Sequence, residues 1–76
     1  MWNSTTTYLV RAGSGILDGD EDQVEEFWYS ADNVQEAIQM FLEEATDDKA
    51  QCYQVYLSSI GGYYAGGDKL KEVLPS

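Results

Sequence analysis

The chain has no histidine, one cysteine, one proline and only four cationic side chains, Arg11, Lys49, Lys69 and Lys71. Without histidine it lacks the usual group for proton transfer near neutral pH, and Cys52 has no imidazole base to activate it. Paired carboxylates can act as acid and base, but they need a cleft that raises one pKa and surrounds a substrate, which 76 residues do not obviously supply. The expectation is a protein that is not an enzyme. A single cysteine excludes an internal disulfide, and the sequence offers no secretion signal, lipidation motif or apolar run of membrane-spanning length. The expected setting is the cytoplasm, with no membrane partner. Four cations are too few for the phosphate contacts that hold nucleic acid, so direct nucleic-acid binding is not expected.

Two familiar ligand motifs begin and then fail. Asp18, Asp20 and Asp22 alternate as in the opening of an EF-hand loop, but the sixth position is Gln23 where glycine is needed and the twelfth is Tyr29 where glutamate is needed. Gly13 and Gly15 start a phosphate-binding glycine pattern whose third glycine is replaced by Asp18, a charge that repels pyrophosphate. No metal or cofactor is expected.

What is present argues for a packed domain: hydrophobic residues make up 43% of the chain and aromatics 13%, enough to offset the disordering effect of a net charge of −10. The length allows one domain, residues 1–76, with a small core. Thr5 to Ala12 reads as a strand, with Tyr8 and Val10 alternating with Leu9 and Arg11. Gly13-Ser14-Gly15 ends it, and Asp18 to Asp22 reads as an exposed turn. Gln23 to Tyr29 reads as a second strand, with Phe27 and Tyr29 toward the core and Trp28 beside Glu26 on the open side.

Val34, Ala37, Ile38, Phe41, Leu42 and Ala45 recur at helical spacing, an apolar arc of about 140°, with Asp32 and Gln35 resembling a capping box. Asp32, Glu36, Glu43 and Asp47 fall opposite that arc. Gln51 to Ile60 reads as a third strand, with Tyr53, Val55 and Leu57 against the helix. It is expected beside the first strand, in a parallel sense if the helix acts as a crossover. Gly61 to Gly67 reads as a turn into a short strand or as an aromatic loop, and the tail as a short C-terminal strand or a last helical turn through Leu70, Val73 and Leu74 capped by Asp68. The fold class is therefore α+β: an antiparallel-rich sheet of three to four strands with one amphipathic helix on one face. The other face is left for Trp28, Tyr8, Tyr56 or Tyr63, which suits a homodimer or partner surface as well as a monomer.

Twelve of the fourteen acidic residues lie between Asp18 and Asp48, a stretch with no Lys or Arg, so that segment carries −12 and the remainder +2. Asp32 and Glu36 favour the positive end of a helix dipole, whereas Glu43, Glu44, Asp47 and Asp48 oppose its negative end. Acids that work against local stability point to a binding role. The residues expected to meet a partner are Asp20, Glu21, Asp22, Glu25, Glu26, Trp28, Asp32, Glu36, Glu43, Glu44, Asp47 and Asp48. On a helix the pairs Asp32–Glu36 and Glu43–Asp47 each span roughly 6 Å, separated by roughly 10 Å, a coarse imitation of a phosphate row.

In general build the chain resembles the small acidic inhibitors encoded by bacteriophages, including the anti-CRISPR proteins. That group shares no motif, so the resemblance covers the short α+β domain and the Asp18–Asp48 acidic segment without assigning individual residues. It implies a stoichiometric blocker of a basic nucleic-acid-binding protein, a CRISPR effector or another host defence complex, acting in the bacterial host cytoplasm.

Overall fold

A computed structural model describes residues 6–58 and 69–75 of the chain. In chain order the elements are β1 (Thr6–Ala12), α1 (Gly15–Asp18), a 3-10 turn (Glu21–Gln23), β2 (Glu25–Ala31), α2 (Val34–Glu44), α3 (Asp47–Ala50), β3 (Tyr53–Leu57) and β4 (Lys69–Val73). The strands form one sheet in the order β2-β1-β3-β4, and every neighbouring pair is antiparallel. The α+β class stands. β3 does lie beside β1, but in the antiparallel sense: α2 returns the chain to the starting end of β2, so β3 repeats the direction of β2 and opposes β1 between them.

Strand alternation divides the sheet cleanly. The register aligns Tyr8 with Tyr29 and Leu57, and Val10 with Phe27 and Val55, on the face that meets α2. From the helix Ala37, Ile38 and Phe41 are buried against Tyr8, Val10, Ala12, Tyr29, Ala31, Tyr53 and Val55. Tyr8, expected among the exposed aromatics, is a core residue because it shares this face. Phe41 is the centre of the contact, with ring centroids 5.5 Å from Phe27 and 5.1 Å from Tyr53. Leu42, at the edge of the apolar arc, stays exposed.

The helix begins one residue later than Asp32 and Gln35 suggest. Asn33 is the N-cap: its Oδ1 accepts from the Glu36 amide at 2.9 Å, and Glu36 Oε1 accepts from the Asp32 amide at 3.1 Å. Asn33 and Glu36 fit the capping pattern as well as Asp32 and Gln35 do, and a carboxylate is the stronger acceptor. The C-terminal segment takes the first of its two expected forms, a short strand or a helical turn. Lys69–Val73 is an edge strand and not a helical turn, because Tyr53 to Tyr56 offer it a pairing partner that five residues of weak helix signal cannot outweigh. The Gly61–Gly67 turn and Tyr63 lie outside the described residues.

The β1–β2 link is a folded unit, not a hairpin turn. Asp18-Gly19 terminates α1, with Gly19 in the left-handed conformation at φ 72° and its amide bonded to the Gly15 carbonyl at 2.8 Å. The second half of the link then packs onto the first. A Cβ at Gly15 would stand 2.0 Å from the Asp20 carbonyl oxygen and 2.9 Å from the Gln23 carbonyl carbon. Backbone would have to move to admit it. Gly15→Ala is expected to cost about 2 kcal/mol, read as a lowered urea midpoint, and an unchanged midpoint would contradict this packing.

Tyr29 is buried, and its hydroxyl forms no well-aligned hydrogen bond in the structure. Burial, then the nearby Glu44 carboxylate, pushes it up to about 12 from its ordinary 10.0. A folded-state pKa above the unfolded one favours the protonated form, so this contribution to stability is complete below pH 10 and disappears as pH climbs from 10 toward 12. The maximum is about 3 kcal/mol for a two-unit rise at 1.36 kcal/mol per pH unit. Urea midpoints should therefore fall across that window, and Tyr29→Phe should flatten the fall. An equally steep fall in the variant would assign it to other groups, Tyr53 first, whose hydroxyl burial also pushes up.

Candidate functional site: the acidic end of the sheet

Ala12, Glu25, Tyr53 and Val73 are aligned across the four strands, which marks one end of the sheet. The β1–β2 link, the start of β2 and α3 all meet there. α2 starts beyond Ala31, at the opposite end, and runs back toward this one. The topology therefore collects Asp18, Asp20, Glu21, Asp22, Glu25, Glu26, Glu43, Glu44, Asp47 and Asp48 toward a single end, and leaves Asp32 and Glu36 at the other. With Arg11 and Lys49 these ten carry eight net negative charges, and Glu72 of β4, in the same row as Glu26 and Arg11, adds a carboxylate paired with Lys69. The contact that ties the segments together is the ion pair between Lys49 Nζ and Glu25 Oε1. Lys49 also lies over the Phe27 ring at 5.9 Å, and with Asp22, Gln23, Val24 and Glu25 it lines an open cleft of about 310 Å³.

The expected acidic stripe along one helix does not form. α2 stops at Glu44, so Asp32 precedes it, and Asp47 opens a separate helix. Thr46 precedes α3 in extended conformation, which places Asp47 and Asp48 in a first turn where the dipole favours them. Asp48 accepts the Thr46 hydroxyl at 2.6 Å, and that bond, helped by backbone N–H groups, holds its carboxyl below the ordinary range. Of the four acids expected to oppose a helix dipole, Glu43 and Glu44 do so, in the last turn of α2, which has no basic residue.

Three of the ten carboxylates are compensated within the chain. Arg11, largely buried, pairs with Glu21 and, through Nε at 3.3 Å, with Glu26; Glu25 takes Lys49. The pairing with Glu21 raises the Arg11 pKa above its ordinary value, and the pairing with Glu25 does the same for Lys49. Asp20 caps the 3-10 turn by accepting the Asp22 amide at 3.1 Å. Among the described residues, the side chains of Asp18, Asp22, Glu43 and Asp47 form no ion pair or hydrogen bond. These four are the freest to meet an external cation. The internal roles of Arg11 and Lys49 were not apparent from sequence position; the one available signal was that Arg11 shares the open strand face with Glu26.

Trp28 is not part of this end. It sits midway along β2 on the face away from α2, 44% exposed, beside Leu9 in the register. Among the described residues that face carries Trp28 and Tyr56 but not Tyr8. Trp28, fully buried Leu9 and half-buried Tyr56 form one row, and a polar row runs next to it: Glu26, Arg11, Gln54 and Glu72, with Gln54 Nε2 donating to Glu72 at 2.7 Å and Lys69 Nζ at 3.2 Å from the same carboxylate.

Among the described residues no group of three potential ligands is placed to hold a metal ion, and no helix is long and apolar enough to cross a membrane. Burial pushes the Cys52 thiol up, the opposite of what a nucleophile requires. No family model, curated protein or solved structure matches the chain.

Proposed function

We propose that the chain is a non-enzymatic inhibitor that binds a basic nucleic-acid-binding protein through the acidic end of its sheet. The finer form of the proposal takes the partner to be a CRISPR effector or another host defence complex, with the acidic end occupying a groove built for a phosphate backbone. One observation carries the reading: the topology brings ten carboxylates from four separate segments toward one end, eight net negative charges after Arg11 and Lys49, with the Glu72–Lys69 pair of β4 in the adjoining row. Charge of one sign concentrated on part of a small protein attracts basic surfaces over a Debye length of about 10 Å and speeds their association. The loss of a helical stripe changes the manner of mimicry. The decoy is a blunt cap, suited to entering a basic cleft end-on, and not a rod laid along it.

A second reading, a small assembly protein that homodimerises through its open sheet face, draws on the exposure of Trp28. The charged row beside Trp28 would have to be covered or matched in such a dimer, which makes the acidic end the better-supported surface. The test is capture of proteins from a nuclease-treated bacterial extract on the immobilised chain, followed by a salt gradient. Basic nucleic-acid-binding proteins are expected to be retained and to elute between roughly 0.1 and 0.5 M salt. Retention indifferent to salt would contradict the proposal.

A further inference from the structure

The outer edge of β2 has no strand partner among the described residues, and the geometry points to a second copy of this chain as its occupant: we propose an antiparallel β2–β2 homodimer with its two-fold axis at Trp28. The direction of the backbone groups follows from the neighbouring ladder. Ser58 N donates to Thr7 O and Gly13 N to Cys52 O, each at 3.0 Å, so Thr7, Leu9, Arg11 and Gly13 direct their hydrogen bonds toward β3. By alternation Thr6, Tyr8, Val10 and Ala12 direct theirs toward β2, to Ala31, Tyr29, Phe27 and Glu25. The remaining residues of β2, Glu26, Trp28 and Ser30, hold their N–H and C=O groups outward. Centring the axis on Trp28 satisfies all of them: Trp28 exchanges both bonds with the partner's Trp28, and Glu26 does so with the partner's Ser30.

Charge selects this register. The strand carries Glu25 and Glu26 at its first two positions and no charge over the other five. Antiparallel pairing about Trp28 sets Glu26 across from Ser30 and Glu25 across from Ala31, keeping the two acidic ends about 20 Å apart. Moving the axis to Glu26 would oppose like charges directly, and a parallel pairing would align all four glutamates. Trp28 would lie beside the partner's Trp28 on the open face, while Phe27 and Tyr29 form cross-strand aromatic pairs on the helix face. The opposite edge of the sheet is guarded in the way natural edges are: β4 exposes Lys69, Lys71 and Glu72, and its ladder with β3 has a register irregularity at Val55 and Tyr56. β2 has neither lysine, proline nor bulge. The dimer would leave the acidic ends uncovered and pointing apart, so it stands or falls independently of the proposed function.

One strand pair is a small interface, so association is weak and concentration must be high. Amide hydrogen exchange of the full chain between about 20 µM and about 1 mM in moderate salt, with sedimentation at the same concentrations, reads it directly. Protection of the Glu26, Trp28 and Ser30 amides is expected to rise at least about tenfold with concentration, alongside a monomer–dimer equilibrium. Ser30→Pro removes an outward N–H without touching a bond to β1 and should abolish both effects. Trp28→Glu, at an already exposed side chain, should do the same and serves if the proline variant does not fold. Leu70→Glu on the opposite edge should change neither. A wild-type monomer at about 1 mM, dimerisation without protection of those three amides, or a folded Trp28→Glu variant that still dimerises would overturn the proposal.

Discussion

Phe41→Ala is expected to lower the stability of the domain by about 3–5 kcal/mol. The side chain is fully buried, and it joins α2 to two strands through its contacts with Phe27 and Tyr53. Truncation removes the transfer energy of the ring and two aromatic pairs, each worth about 0.5–1.5 kcal/mol. It also leaves a cavity that an eleven-residue helix can close only by giving up Ala37 and Ile38. A domain of this length has a total stability of roughly 4–11 kcal/mol, so the variant should melt about 15–30 °C lower or fail to fold. Thermal unfolding followed by far-ultraviolet circular dichroism checks it. A shift below about 5 °C would mean that α2 does not anchor the core at Phe41.

The second large effect concerns recognition. Replacing Asp18, Asp22 and Asp47 with asparagine and Glu43 with glutamine neutralises four carboxylates of the acidic end that form no ion pair or hydrogen bond among the described residues. Association with a captured basic protein should slow by roughly 10- to 100-fold at low salt, with the difference shrinking as salt is raised. The fold should survive. Removing like charges from one end is expected to leave stability unchanged or raise it by a few tenths of a kcal/mol per group. The control is Asp32→Asn with Glu36→Gln at the far end of α2, two charges against four, which should leave the association rate nearly intact. Equal losses from the two sets would mean that total charge matters and its gathering at one end does not.

The parts of this architecture that could be read in the residues are those governed by periodicity. Phe27 and Tyr29 turn inward, Trp28 turns outward, and Ala37, Ile38 and Phe41 fill the core, because alternation in a strand and the 3.6-residue helical repeat leave little choice. The errors came where two local signals compete. Extending the apolar repeat through Ala45 carried Asp47 onto α2, whereas Thr46 with two following aspartates starts a new helix. Asp18-Gly19 resembles a hairpin turn but ends a helix, since Gly19 suits either role. Lys69–Val73 has too weak a propensity of its own, and its state is decided by pairing with β3, a contact between residues far apart in the chain. For the same reason the charge segregation was visible in the sequence but its shape was not. Ten acids meet at one end because α2 brings the chain back to where β2 began, and Asp32 and Glu36 are excluded because they mark its outward turn.

If this end takes the place of a phosphate backbone, the chain and nucleic acid must compete for the partner. Binding of the chain to its captured basic partner would be measured by titration with and without saturating nucleic acid, for the wild type and the four-amide variant, over a series of salt concentrations. Mutually exclusive binding is expected, with an affinity that falls steeply with salt for the wild type and less steeply for the variant. A stable ternary complex of chain, partner and nucleic acid, with affinity indifferent to salt and to the four substitutions, would contradict it.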